Sequence, residues 1–276
     1  RGVRQAFLRW RRFPIYSTWA GLSNTAGTQL PPILFAALFS PAAAGVYMLA
    51  HRVLQMPVTV LGQSVAQVFF SNAVDAKQDG QLATLVATIH RHLANIAMPP
   101  ALLLILTGPE LFAFVFGSEW AQAGQFSQWM APWLYLVFIS SPLSNVGSVM
   151  EQQAVSAMFN IAQLAVRLSA ILAGAYYGDV MTALMLYAIG NAFHVVGYLS
   201  WIFAISGNRI RVIFYIFFRA LANALMICIP TITAATMRAS DDLIIASVFI
   251  TGSLILVYYA IIYRKATAST STANLS

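Results

Sequence analysis

The sequence predicts an all-α, polytopic membrane protein. Hydrophobic residues make up 59% of the 276-residue chain and charged residues only 8%, whereas soluble domains carry roughly a quarter charged residues. The mean hydropathy is +0.74, and the apolar residues fall in long runs separated by short polar segments. Because a spanning helix needs about 20 apolar residues, we expect a transmembrane helical bundle of about eight membrane-spanning helices.

Breaks rich in charge, Gly, Pro or Asn delimit these helices. Several predicted spans contain proline, which membrane helices tolerate where neighbouring groups satisfy the freed carbonyls. A basic segment, residues 1–16, precedes the first span, and the Ser/Thr/Ala-rich tail 266–276 is predicted to be disordered. The spans are predicted at about 17–39, 44–72, 93–117, 123–149, 153–176, 180–204, 212–236 and 242–263.

The distribution of Lys and Arg predicts the orientation of the chain. Cytoplasmic loops of membrane proteins carry an excess of these residues, so with an even number of spans both ends of this chain are expected in the cytoplasm. The connection 73–92 is predicted to be the longest cytoplasmic loop and partly helical. The chain starts with Arg1 rather than Met, and we expect it to be part of a longer protein. The basic loops contain Arg1, Arg4, Arg9, Arg11, Arg12, Lys77, Arg91, Arg209, Arg211, Arg264 and Lys265.

Two predicted spans carry a polar stripe that begins or ends in arginine. Spacings of three and four residues keep each set on one face of its helix, and an arginine at mid-bilayer costs on the order of 2.5–3.5 kcal/mol. Arg219, near the cytoplasmic end of its span, is instead predicted to reach the headgroups. The first stripe is Arg52, Gln55, Thr59, Gln63 and Gln67, and the second is Gln153, Ser156, Asn160, Gln163 and Arg167.

The stripes predict a cationic substrate path. No carboxylate lies in the middle of any predicted span, so an anionic ligand such as a phosphate or acidic sugar is the expected partner of Arg52 and Arg167. The amides suit sugar hydroxyls, which makes Gln55, Gln63, Gln67, Asn160 and Gln163 candidate substrate-binding residues. The alternative is that the amides and hydroxyls only join helices by hydrogen bonds.

Other classes of function find little support in the sequence. The bases are scattered between apolar spans, which argues against a nucleic-acid partner. Nucleotide-binding glycine loops, HExxH and paired carboxylates are absent, so we expect neither an enzyme nor a metal or cofactor site. The tryptophans are predicted to lie in the interfacial belts; they are Trp10, Trp19, Trp120, Trp129, Trp133 and Trp201.

Several motifs of the first half resemble the polysaccharide-biosynthesis (Wzx-type) flippases of the multidrug/oligosaccharidyl-lipid/polysaccharide exporter superfamily. The motifs are Arg-Arg-Phe-Pro-Ile-Tyr-Ser at 11–17, Ala-Gly-Val-Tyr-Met-Leu-Ala-His-Arg-Val-Leu at 44–54, Gly-Gln-Ser-Val-Ala-Gln-Val-Phe-Phe at 62–70, Gly-Pro-Glu-Leu-Phe through Phe-Gly-Ser-Glu-Trp at 108–120, and Ala-Pro-Trp-Leu with Ser-Ser-Pro-Leu-Ser at 131–144. The later helices resemble the family in hydropathy and order.

This resemblance implies two facing six-helix bundles, often followed by two more helices. The chain would then supply the second six-helix bundle at 17–204 and the additional two-helix hairpin at 205–265, without the amino-terminal bundle. The implied function is flipping of an undecaprenyl-pyrophosphate-linked oligosaccharide across the bacterial inner membrane by alternating access. O-antigen of lipopolysaccharide and exopolysaccharide are the implied products, with membrane lipids, a polysaccharide polymerase and assembly proteins as partners.

Three alternatives remain open at this point. A small-molecule antiporter of the same superfamily would be expected to have acidic residues in its cavity. A membrane-embedded polymerase or glycosyltransferase would need a large outer loop. A noncatalytic membrane scaffold would use the polar stripes only to join helices.

Overall fold

The computed structural model describes residues 12–237 and 239–273, and these residues form helices and short turns. The helices, in chain order, are α1 (Arg12–Leu38), α2 (Pro41–Gln78), α3 (Leu82–Phe116), α4 (Ala121–Ser140), the single turn α5 (Val146–Val149), α6 (Gln153–Tyr176), α7 (Val180–Ile205), α8 (Ile210–Ile227), α9 (Ile229–Thr236) and α10 (Asp241–Ala273). Short 3₁₀ turns lie at Ser118–Trp120 and Pro142–Asn145. The predicted all-α bundle is confirmed.

Six of the described helices are long and apolar enough to cross a membrane: α2, α3, α6, α7, α8 and the Asp241–Arg264 part of α10. The other two predicted spans correspond to α1 and α4, which have 27 and 20 residues. Both reach the length of about 20 residues that a spanning helix needs. The protein is therefore a multi-pass membrane protein with roughly the predicted number of helices.

Helix α4 lies at the centre of the bundle. It packs against α2, α3 and α7, and most of its side chains are buried. Trp133 and Leu134 belong to a core cluster shared with α1, α2, α6 and α7. Phe138 and Ile139 belong to a second cluster shared with α2, α3, α7 and α8. Helix α4 thus contributes to both core clusters.

Helix α3 is kinked next to a proline, and a side chain of α4 compensates for the lost hydrogen bond. Pro109 has no N–H to donate to the carbonyl of Ile105. The Gln128 amide donates to that carbonyl instead, at 2.9 Å. Thr107 has non-helical torsion angles, φ −135° and ψ 24°. The kink is therefore held by a polar contact between α3 and α4.

A second proline of α3 fixes the position of α10. Pro100 leaves the carbonyl of Ile96 without its helical donor, and the Tyr259 hydroxyl donates to that carbonyl at 2.6 Å. A free carbonyl is costly away from water, so this contact stabilises the packing of α10 on α3.

The connection 73–92, predicted to be a partly helical loop, is helical except at residues 79–81. Helix α2 continues to Gln78 and α3 begins at Leu82, so only residues 79–81 connect them. Gly80 ends the first helix with a φ of +70°, a conformation that glycine adopts without strain. Leu82 and Val86 are buried in the core, which explains why the polar 73–92 segment is helical: one face of it has an apolar partner.

Other boundaries also differ from the prediction. The span expected at 123–149 ends at Ser140, because Pro142 follows, and the span expected at 212–236 is divided at Cys228 before Pro230. Helix α1 begins at Arg12, inside the segment 1–16, whose first residues 1–11 lie outside the described part. Helix α10 continues to Ala273, so the tail predicted to be disordered is helical up to that residue; residues 274–276 are not described.

Candidate functional site

The bundle contains a polar cavity of about 420 Å³ between α1, α2, α4 and α6. Two other cavities, of about 310 and 410 Å³, have almost entirely apolar linings. Pockets that hold small ligands measure roughly 300–1,000 Å³, so the polar cavity is large enough for a pyrophosphate and an adjoining sugar. Its polar lining consists of Thr28, His51, Gln55, Thr59, Gln63, Trp133, Ser141, Ser144, Asn145, Gln163 and Arg167.

Arg167 is the charged residue of the cavity lining, and it is held in place by an amide. Its side chain is only 7% exposed, and its Nε donates to Oδ1 of Asn191 on α7 at 2.9 Å. The Asn191 amide is itself fixed, since its Nδ2 donates to the carbonyl of Tyr187 at 2.7 Å. The bond from Nε leaves the two Nη groups of the guanidinium for a ligand.

Aromatic rings surround this guanidinium. The Cζ atom of Arg167 lies 5.9 Å from the ring centroid of Trp133, a cation–π distance. Trp133 stacks on His51 at 6.1 Å between centroids, and His51 stacks on Tyr47 at 5.6 Å. Among the described residues, the buried Trp133 Nε1 has no hydrogen-bond partner. The guanidinium thus lies against an aromatic part of the cavity wall.

Gly27 on α1 makes room for the arginine. A Cβ atom built on Gly27 would lie 2.7 Å from Nη1 of Arg167, closer than such atoms approach. Gly27 is buried, and the backbone of α1 therefore forms the wall opposite α7. The guanidinium is confined between Gly27, the Trp133 ring and the Asn191 amide.

The structure brings together some of the predicted site residues and not others. Gln55, Gln63, Gln163 and Arg167 all line the polar cavity. The remaining three, Arg52, Gln67 and Asn160, are not among its lining residues; Arg52 and Gln67 have exposed side chains and Asn160 is half-buried. The two stripes thus meet at one cavity, and only some of their residues line it.

Among the residues of the site that were not predicted to bind substrate are His51, Asn191 and Trp133. His51 had a usable signal, since it precedes Gln55, Thr59 and Gln63 at intervals of four residues. Asn191 belongs to α7 and gave no signal that it contacts Arg167. The prediction of an interfacial position is wrong for Trp133, which is 1% exposed and lies between helices.

The cavity lining contains a positive charge and no carboxylate. The chain has 8 Asp and Glu residues, and none of them is among the residues that line the cavity. Arg167 has a neutral amide rather than a carboxylate as its partner. Since a buried charge is stabilised by an opposite charge or by ligation, the arrangement is complementary to an anion.

These features define a polytopic membrane protein with a polar cavity that contains a buried arginine. Comparison with known proteins agrees with the membrane fold. Residues 3–125 match the model of a family described as polysaccharide biosynthesis protein, so the resemblance found in the sequence is confirmed. The fold is similar to that of the lipid II flippase MurJ in an inward closed conformation, with a TM-score of 0.66 and 12% sequence identity.

The structural match covers 88% of this chain and 53% of the flippase structure. The chain therefore spans about half the length of that relative. None of the curated proteins matches the sequence.

Proposed function

We propose that this chain forms part of a flippase that moves a polyprenyl-pyrophosphate-linked oligosaccharide across a bacterial inner membrane for surface polysaccharide biosynthesis. The observation that carries the proposal is the buried Arg167 in a cavity lined by amides, hydroxyls and no carboxylate. The family match and the likeness to a lipid II flippase support the same class of substrate.

In the proposed mechanism Arg167 binds the pyrophosphate and the amides bind the glycan. Arginine suits phosphate oxygens because its planar N–H groups bind two of them at once. Gln55, Gln63 and Gln163 on the cavity wall offer donors and acceptors for sugar hydroxyls. The lipid tail would remain in the bilayer while the cavity alternates between the two sides of the membrane.

The finer parts of the proposal concern location and product. The excess of Lys and Arg in alternate loops supports a cytoplasmic location for both ends of the chain. The product would be O-antigen of lipopolysaccharide or an exopolysaccharide, the tail would be undecaprenyl, and a polysaccharide polymerase and assembly proteins would act downstream. These assignments come from the family resemblance.

The alternatives make different demands on the same cavity. A small-molecule antiporter for cationic drugs would need a carboxylate there, and the lining has none. A scaffold would use Arg167 only to join α6 to α7 through Asn191. In that case a substitution of Arg167 would lower stability without a selective loss of transport.

The test is complementation of surface polysaccharide export in a strain that lacks the gene, with the transporter as encoded at its locus. Arg167→Gln retains an amide donor for Asn191 but removes the charge, and Arg209→Gln removes an exposed charge outside the cavity. We expect export to be lost in the first variant and retained in the second, at equal membrane abundance. Full export by Arg167→Gln would contradict the proposed pyrophosphate path, as would equal losses in the two variants.

The second predicted cation is tested in the same assay. Arg52 is exposed and outside the cavity lining. If it belongs to the substrate path, Arg52→Gln reduces export as Arg167→Gln does. Export at the level of the Arg209→Gln control would leave Arg167 as the pyrophosphate ligand and remove Arg52 from the site.

A further inference from the structure

The carboxy-terminal helices are joined to the bundle by a ladder of polar side chains, which we define as Asn95, Asn223 and Tyr258. The Asn223 amide and the Tyr258 hydroxyl both donate to Oδ1 of Asn95, each at 3.2 Å. The Asn95 amide donates to the carbonyl of Arg91 at 2.8 Å. The ladder therefore fixes α3, α8 and α10 at one level of the bundle.

Two arginines lie on the same side of this ladder. Arg91 precedes Asn95 by four residues on α3, and Arg219 precedes Asn223 by four residues on α8. Residues four apart share a helix face and are separated by about 6 Å along the axis. Successive spans alternate in direction across the membrane. Helices α4 and α7 therefore run opposite to α3, whereas α6 and α8 run in the same direction as α3. Arg91 and Arg219 therefore both lie one helical turn from the ladder, toward the starts of α3 and α8.

Neither arginine has an acidic partner. Both side chains are exposed, and among the residues that the structure describes no carboxylate forms an ion pair with either of them. The charge of Arg219 acts on the Tyr258 hydroxyl, which places its side chain close to the ladder. Two exposed cations at the same level of two helices that pack together favour binding of an anion from outside the chain.

The surface around Arg219 identifies the source of that anion. Phe214, Tyr215 and Phe218 of α8 are 52, 63 and 62% exposed, an apolar surface typical of contact with acyl chains. The basic loop before α8 predicts that this helix begins at the cytoplasmic face. A negatively charged headgroup with acyl chains attached matches both the arginines and the aromatic side chains.

We propose that Arg91 and Arg219 form a binding site for the phosphate diester of an anionic phospholipid of the cytoplasmic leaflet. The two guanidinium groups bind the phosphate oxygens, and the acyl chains pack on the exposed aromatic side chains of α8. The bound lipid stabilises the junction of α3, α8 and α10. Basic pockets between membrane helices bind lipid headgroups in this way. The site is separate from the polar cavity, and the proposal does not depend on the transported substrate.

The experiment is thermal unfolding of the purified protein in a nonionic detergent with dioctanoyl phosphatidylglycerol or dioctanoyl phosphatidylcholine. We expect phosphatidylglycerol to raise the Tm by several degrees and phosphatidylcholine to raise it much less. Arg91→Gln/Arg219→Gln abolishes the difference between the two lipids. The matched control Arg209→Gln/Arg211→Gln removes the same amount of charge at the start of α8. We expect this control to retain the difference between the two lipids.

Equal responses to the two lipids would overturn the proposal, and so would equal effects of the two double variants, since general charge attraction would then explain the binding. Inorganic pyrophosphate separates a phospholipid from the phosphate groups of the transported substrate. If it raises the Tm as much as phosphatidylglycerol and through the same arginines, the phospholipid assignment is wrong. If the double variant folds poorly, the single variant Arg219→Gln replaces it in the comparison, because the Arg219 side chain is exposed and outside the core.

Discussion

Arg167 on α6 donates its Nε proton to Oδ1 of Asn191 on α7 at 2.9 Å. Both side chains are buried, and the partner of the cation is a neutral amide. The pair joins two helices and directs the remaining guanidinium N–H groups away from α7. The cavity keeps its positive charge because Asn191 does not neutralise it.

Asn191→Asp is expected to inactivate transport without unfolding the protein. The new carboxylate accepts the same hydrogen bond but cancels the charge that attracts the substrate. A hydrogen bond to a charged group contributes about 1.5–3 kcal/mol, so we expect a loss of about ten- to a hundredfold in substrate affinity. Export and membrane abundance measure the effect.

Asn191→Leu serves as the contrast to Asn191→Asp. It leaves the charge of Arg167 buried without a partner, which is strongly destabilising, so lower abundance is expected. Unimpaired export by Asn191→Asp would show that the charge of the cavity is not used.

Gly27→Ala is expected to reduce export severalfold with little change in Tm. The added methyl group would lie 2.7 Å from Nη1 of Arg167, and the flexible end of that side chain can move away. Stability is then retained while the guanidinium leaves its position. Gly21→Ala in the same helix is the control, since its Cβ would have no atom within 4 Å. The same export from both variants would refute the importance of this position.

Trp133→Phe tests whether the unpaired indole N–H binds substrate. Phenylalanine retains a buried ring and removes a donor that has no partner among the described residues, so we expect a small loss of stability. A ligand hydrogen bond of about 0.5–1.5 kcal/mol corresponds to a loss of about 2- to 12-fold in apparent affinity. The control is Trp129→Phe at an exposed position. A purely structural role predicts unchanged transport kinetics in both variants.

Gly124→Ala is expected to destabilise the fold itself. A Cβ atom at this position on α4 would collide with the carbonyl oxygen of Gly108 on α3. Overpacking of a tight contact costs typically about 1–3 kcal/mol, because backbone has to move. Gly45→Ala, with open space around its Cβ, is expected to be neutral or stabilising by up to about 1 kcal/mol. Thermal unfolding in detergent compares them, and equal Tm values would contradict the close helix crossing.

Much of the fold followed from the sequence because the bilayer imposes a length and a composition on each crossing. The apolar runs predicted the helices, but the breaks before Pro142 and Pro230, where α4 and α8 end, were not predicted, because these prolines were expected to be tolerated inside their spans. The helix content of 73–92 was underestimated for a clear reason. Hydropathy does not identify a polar helix whose buried face, including Leu82 and Val86, packs against other helices.

The sequence by itself predicted a cationic interior, since its stripes contain arginine and its spans lack central carboxylates. Helical periodicity also placed Gln55 and Gln63 on one face, and Gln163 with Arg167 on another. It could not determine how each helix is rotated and at what height it meets its neighbours. Those relations decided that Arg167 lines the cavity while Arg52 does not, and that Trp133 is buried beside the guanidinium. Periodicity is a property of one helix, whereas a site requires the packing of several.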